Sequence, residues 1–333
     1  MNKRLAFLLV LTALAAVAAG CGGTGEESGS GGGGGESLSL VAYSTPKEVY
    51  EEVIPDFQKT EQGSGVKFSQ SYGASGEQSR AVQGGLPADV VAFSLAPDVN
   101  KLVDKGLVDE NWAKSKYDGF VSTSVVVFAV RKGNPKGIKT WDDLTKPGVE
   151  VITPNPFTSG GAKWNVMAAY GSQIQQGKSE EDATAYLERL FKNVAVQDKS
   201  AREALQTFTS GKGDVLIAYE NEAITAQQKG QDVDYVVPDE TILIQNPIAA
   251  TTDTKKGAQE FVDYAKSDPA QKVFAEKGYR SVNPDLVDPK RYPKPPGEFT
   301  IDKFGGWSAV NDKFFDPDGV VGKIEQDLGV ATG

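Results

Sequence analysis

"ITPNPFTSGGAKWN", residues 152–165, reads as a strand, a turn and then a helix. At the turn sit Thr158, Ser159, Gly160 and Gly161, and Ala162 leads into an apolar helical stretch. Such a junction places a hydroxyl and two bare backbone amides at a helix N-terminus. There the N–H groups lack intrahelical partners and the helix presents a partial positive pole. The glycines let a ligand approach the backbone closely. A terminus of this kind binds anions readily. It is not a nucleotide P-loop, because GxxxxGK[ST] occurs neither here nor elsewhere in the chain.

Working outward, the alternation of strand and helix repeats. Residues 37–44 read as a strand. Residues 45–60 read as a helix with Thr45 as its N-cap, Pro46 in its first position and a kink at Pro55. Strands at 66–72 and 88–94 alternate with helices at 76–85 and 96–106. Repeated β-α-β units predict an α/β fold with parallel sheet and helices on both faces. The long β-rich run 122–137 breaks the rhythm and reads as a crossing into a second lobe, and 241–251 reads as the return. The expected organisation is lobe 1 from 37–122 and 246–333, and lobe 2 from 123–245. The cleft between two such lobes is where ligands prefer to bind.

Small polar residues recur at the helix starts. Ser44 and Thr45 begin one helix, 73–76 (Gly-Ala-Ser-Gly) another, 159–161 a third, and Ser200, Ala201 and Arg202 a fourth. All lie at the carboxyl ends of predicted strands, the edge at which open α/β sheets bind ligands. Two fall in each lobe, so facing lobes would bring four helix poles to one cleft.

Composition narrows the chemistry. The chain has 333 residues, 39% hydrophobic and 24% charged, as in soluble globular proteins with room for two cores. Its net charge of −10 argues against general nucleic-acid binding, which needs a basic footprint. There is no histidine. That removes a Ser-His-Asp triad, His-ligated zinc and imidazole acid–base catalysis. The single cysteine, Cys21, excludes internal disulfides. GxSxG is absent, so a serine hydrolase or sulfatase-like enzyme has little support.

The N-terminus accounts for that cysteine. Met1 to Arg4 make a basic start, and residues 5–19 form an apolar run broken only by Thr12, short for a membrane span. Ala18, Ala19 and Gly20 precede Cys21, which resembles the cleavage site of bacterial lipoprotein signal peptides, with alanine at 18 where leucine is usual. Residues 1–20 are thus expected to be a signal peptide and Cys21 a lipidation site anchoring the protein to the membrane. Residues 22–36 form a flexible Gly/Ser/Glu tether.

Four segments, "SYGASGEQSRAVQGGLPADVVAFSLAPDV", "RKGNPKGIKTWDDLTKPGVEVITPNPFTSGGAKWN", "GDVLIAYENEA" and "FGGW", resemble the sulfate- and thiosulfate-binding proteins of ABC importers. The similarity runs from about residue 38 to 307. It implies a two-lobed periplasmic-binding-protein fold (type II), a dehydrated oxyanion between the lobes, and delivery to a permease driven by an ATPase. It also implies a monomer with no cofactor or metal. Carried over by position, Ser75 takes the place of an anion-binding serine. Ser159, Gly160 and Gly161 supply a hydroxyl and amides, and Ala201, with Ser200 before it, supplies an amide. Ser44 stands where the family has an aspartate that gives a backbone amide. Tyr219 stands where it has a tryptophan that donates its indole N–H. Gly76 lies behind the site. Arg202 either balances the anion from behind or forms an ordinary salt bridge. Tyr43 and Tyr72 either line the cleft or pack in the sheet, and Trp164 is expected in the core.

Sulfate carries no proton at neutral pH and needs donors at every oxygen. Phosphate retains a proton and benefits from a carboxylate acceptor, which makes Glu77 and Glu220 the residues to watch. A tyrosine oxygen both donates and accepts. Molybdate, tungstate and phosphate remain alternatives to sulfate, as does a ferric ion held by tyrosine.

Overall fold

The computed structural model describes residues 36–329. The signal-peptide reading of 1–20, Cys21 and the tether up to residue 35 lie outside them. Glu36, placed in the tether by sequence, is part of the fold: its carboxylate accepts the Gly257 N–H at 3.1 Å and its carbonyl the Lys67 N–H at 2.7 Å.

The chain begins β1 (Ser37–Tyr43), α1 (Lys47–Gln58), β2 (Lys67–Gly73), α2 (Ser75–Gln83), β3 (Val90–Ala92) and α3 (Ala96–Val103). A long strand, β4 (Phe120–Arg131), leads to β5 (Val151–Pro154), α4 (Gly160–Gln175), α5 (Glu180–Lys192), β6 (Val194–Asp198) and α6 (Ala201–Thr209). Then come β7 (Val215–Tyr219), α7 (Glu220–Gln228), β8 (Val233–Val236) and a second long strand, β9 (Glu240–Ala250). The C-terminal part holds α8 (Lys256–Ala265), α9 (Asp268–Glu276), β10 (Gly297–Phe299), α10 (Gly306–Val310) and α11 (Val320–Asp327). Helix α1 starts one residue later than its sequence suggests, with the Val49 and Tyr50 N–H groups both donating to the Pro46 carbonyl, and it runs through Pro55 as one helix.

The strands hydrogen-bond in the order β2-β1-β3-β9-β4-β7-β5-β6, with β10 beside β9 and β8 beside β4. β1 lies parallel between β2 and β3, and β5 parallel between β6 and β7. The two long strands join these halves. The end of β9 runs antiparallel to β3, its middle pairs antiparallel with the start of β4, and the far end of β4 pairs antiparallel with β7 and β8. The runs read as crossings are therefore β4 and β9, bonded to each other.

Burial explains the runs. In β4, Val125, Val127 and Ala129 enter one core cluster while Val126, Phe128 and Val130 enter another. A strand covered on both faces needs apolar residues at every position, which is why it reads as a continuous run and not an alternation. In β1, Leu38, Leu40 and Ala42 pack against Tyr50, Phe57 and Phe261 from α1 and α8, and Val41 faces Val82, Val99 and Leu102 from α2 and α3.

The C-terminal stretch packs against α4 and α5. Phe299, Ile301, Val310, Phe314, Phe315, Val321 and Ile324 join the cluster of Trp164, Tyr170 and Leu187, on α4 and α5. Tyr170 meets the Phe314 ring edge-on at 4.7 Å, and Trp164 meets Trp307 at 4.6 Å. Gly171 makes this approach possible, since a Cβ there would lie 2.3 Å from the Phe299 ring.

Candidate oxyanion site

Each half contributes strands that end in small residues followed by a helix, and these ends meet. A small cavity is walled by Tyr43, Ser44, Gly73, Ala74, Ser75 and Ser94 from the first half. Ser159, Gly160, Gly161, Ser200, Ala201 and Tyr219 close it from the second half. The structure thus brings together Ser44, Ser75, Ser159, Gly160, Gly161, Ser200, Ala201 and Tyr219, which lie far apart in sequence. Gly76 and Arg202 stand just outside. No lining residue carries a formal charge at neutral pH.

Helix geometry explains the donors. Ser159 caps α4 with extended backbone (φ −101°, ψ 122°), and its Oγ accepts the Ala162 N–H at 3.4 Å. Ser200 caps α6 in the same way, accepting the Glu203 N–H at 3.2 Å. A capping hydroxyl uses its oxygen and keeps its hydrogen to donate. The amides of Gly160, Gly161, Ser75 and Ala201 occupy first-turn positions, where α-helices leave N–H groups without internal partners. The Gly76 N–H is already used, donating to the Thr158 carbonyl at 3.2 Å.

Ser75 has its hydroxyl committed within the protein. It donates to Asp98 Oδ2 at 2.6 Å and accepts the Ser94 N–H at 3.0 Å. Its backbone amide is what remains for a ligand.

Ser94 was not anticipated, yet it ties the halves together. Its Oγ shares a hydrogen bond with Tyr219 Oη at 2.6 Å, and its carbonyl accepts from Trp164 Nε1 and Asn246 Nδ2, each at 3.0 Å. The sequence did hold a signal: Ser94 follows a strand and precedes a Pro-initiated helix, as Ser44 does. Gly160 packs against it so closely that a Cβ would lie 2.7 Å from Ser94 Oγ and 2.9 Å from Leu95 Cγ.

The remaining alternatives resolve. Arg202 forms a salt bridge: both Nη atoms bind the Glu48 carboxylate, and Nη2 donates to the Thr45 carbonyl at 2.9 Å. Lys229 also contacts Glu48. Burial alone would push the Glu48 carboxyl up, but hydrogen bonds from Arg202 and Lys229 hold it at about 2. Glu220 turns away to a buried ion pair with Arg280, at 2.7 and 3.1 Å. Glu77 does not line the cavity. Tyr43 lines it, with its ring 6.5 Å from that of Tyr219, whereas Tyr72 packs beside the first-half core and donates to Gln70 Oε1 at 2.6 Å. Trp164 is core, 1% exposed. Burial pushes the phenols of Tyr43 and Tyr219 well above their ordinary range, which disfavours the phenolates a ferric ion would require.

Comparison with known proteins identifies the relatives of this chain. The family model described as "Bacterial extracellular solute-binding protein" matches residues 38–280. The sulfate-binding protein of Synechococcus elongatus is 44% identical over 302 residues, covering 87% of this chain and 86% of its own. The thiosulfate-binding protein of Pseudomonas aeruginosa is 36% identical over 301 residues, covering 85% and 90%. The solved structure of the sulfate-binding protein SubI from Mycobacterium tuberculosis H37Rv superposes with a TM-score of 0.82 at 42% identity, covering 84% of this chain and 100% of that one. The fold is thus the two-lobed α/β fold of type II binding proteins. The chain belongs to the bacterial extracellular solute-binding proteins, beside their sulfate- and thiosulfate-binding members.

Proposed function

We propose that this protein captures sulfate outside the cytoplasm and delivers it to the permease of an ABC importer. The observation that carries this reading is the lining: amides and hydroxyls from both halves, without a carboxylate. A buried dianion stripped of water loses tens of kcal/mol by Born reasoning, roughly, unless the site replaces that water. Each aimed N–H or O–H returns about 1.5–3 kcal/mol net when its partner is charged. Helix termini add about 0.3–1 kcal/mol apiece, more when partly buried. A protonated anion would bring its own donor and find few acceptors here, so phosphate is disfavoured. Thiosulfate, which is also a proton-free dianion, belongs to the same ligand class.

In this reading Ser44, Ser75, Gly160, Gly161 and Ala201 give amides, Ser159 and Ser200 give hydroxyls, and Tyr219 gives a phenolic O–H. Lobe 1 comprises 36–122 and 246–296, and lobe 2 comprises 123–245 with the C-terminal residues 297–329. Closure is a hinge motion at β4 and β9, selected by contacts from both sides. The protein acts in binding and not in catalysis, and as a monomer. A lipid on Cys21 would hold it at the membrane, where more than one acyl chain gives stable anchoring.

Calorimetric titration at neutral pH with sulfate, thiosulfate, molybdate and phosphate tests the proposal. Sulfate or thiosulfate should bind tightest. A preference for phosphate would reject the donor-only site.

A further inference from the structure

Two hydroxyls meet across the cleft. Ser94 stands just beyond β3 and Tyr219 at the end of β7, and their oxygens lie 2.6 Å apart. The backbone of Ser94 is pinned from both sides. Its N–H donates to Ser75 Oγ at 3.0 Å, and its carbonyl accepts from Trp164 Nε1 and Asn246 Nδ2, each at 3.0 Å. Gly160 packs over Ser94 Oγ, where a Cβ would lie 2.7 Å away. The serine hydroxyl is thus held on a rigid mount with Tyr219 Oη as its partner. Tyr219 is buried too, and burial keeps its phenol protonated. Two touching hydroxyls carry two hydrogens, and the bond between them uses one. The other is left for the cavity, which both residues line. Acidity decides which oxygen gives it. A phenol, with an ordinary pKa of about 10, is a stronger donor than an aliphatic hydroxyl. A dianion is a stronger acceptor than either hydroxyl oxygen. The best-matched chain therefore runs from Ser94 to Tyr219 to the anion, each link polarising the next.

Resting on the reading that the cavity takes a proton-free dianion, we infer that Ser94 is a specificity-determining residue: its hydroxyl donates to Tyr219 Oη and so turns an oxygen able to donate or accept into one that only donates. Ser94 acts through Tyr219, as a positioning residue, and does not need to touch the anion. Without the serine hydrogen the phenol keeps its own O–H but regains a free acceptor. A monoprotonated phosphate would then find a place for its proton beside Tyr219. The serine thus sharpens the choice of sulfate over phosphate at the one lining side chain whose oxygen is otherwise ambivalent towards the ligand.

The test is a double-substitution cycle on the full chain: the unmodified protein, Ser94→Ala, Tyr219→Phe and both changes together. Each is titrated calorimetrically at pH 8 with sodium sulfate and with sodium phosphate. Ser94→Ala should weaken sulfate by about 2- to 12-fold. Phosphate binding should hold or tighten, so the preference for sulfate should fall by at least about fivefold. In the Tyr219→Phe background the same change should move the sulfate Kd by less than about twofold, because no phenol is left to polarise. A merely structural role would weaken both anions alike and leave their ratio where it was. An unchanged ratio in Ser94→Ala therefore overturns the inference. So does an equal loss of sulfate affinity in both backgrounds. If Ser94→Ala does not fold, Ser94→Cys keeps the shape with a weak donor and is read by the same ratio. An unmodified protein that prefers phosphate would instead remove the donor-only site itself.

Discussion

Substituting Gly160 by alanine should disable capture without disturbing folding. The added Cβ would meet Ser94 Oγ at 2.7 Å, Ser94 Cβ at 2.8 Å and Leu95 Cγ at 2.9 Å, all across the cleft. Ordinary carbon contacts lie at about 3.5–4.0 Å, so something must yield by roughly an ångström. Ser94 cannot do so cheaply, because its N–H, carbonyl and hydroxyl are all engaged. If the closed form absorbs the methyl, overpacking costs about 1–3 kcal/mol. If the halves part instead, the Ser94–Tyr219 and Trp164–Ser94 bonds are lost, at about 0.5–1.5 kcal/mol each. Both routes give about 1–3 kcal/mol, which is a Kd about 5- to 150-fold weaker. The alanine keeps its N–H, so the effect is steric and not the loss of a donor. Ligand-free thermal melting should stay nearly unchanged, since the clash exists only when the halves meet. Sulfate titration by calorimetry checks this, and a Kd within twofold of the unmodified protein would refute the reasoning.

Ser159→Ala removes both a helix cap, about 1 kcal/mol, and a donor to a charged ligand, about 1.5–3 kcal/mol. Sulfate Kd should rise at least about tenfold and melting should fall by a few degrees. Arg202→Lys keeps the charge but loses the bidentate grip on Glu48, so sulfate release followed by tryptophan fluorescence should quicken. The same pair fixes a pH window. The Glu48 carboxyl sits below its ordinary value of 4.5, so its stabilising effect is fully present above about 4.5 and is lost as pH falls towards about 2. Release rates should therefore climb as pH drops through that acid range, and less so in Glu48→Gln. Removing residues 297–329 uncovers Trp164 and Tyr170, and the truncated chain should bind a hydrophobic dye and melt at lower temperature, whereas an unchanged melt would contradict the packing described here.

The elements themselves were legible in the chain, because strand and helix periodicity are local. The runs 37–44 and 88–94, and the two long crossings, fall where strands stand, since a strand buried on both faces must be apolar throughout. The serines and glycines at strand ends were legible too, because capping and close backbone approach demand small residues whatever lies nearby. What the chain alone left open depends on groups distant in sequence. The C-terminal residues joined α4 and α5 because Gly171 leaves room for Phe299, a complementarity invisible without the third dimension. Arg202 pairs with Glu48, Ser75 gives its hydroxyl to Asp98, and Ser94 emerges as a residue bridging the halves. Local sequence determines which groups can donate. Only the packed fold decides where each hydrogen goes, because every donor has one hydrogen to place and several distant acceptors compete for it.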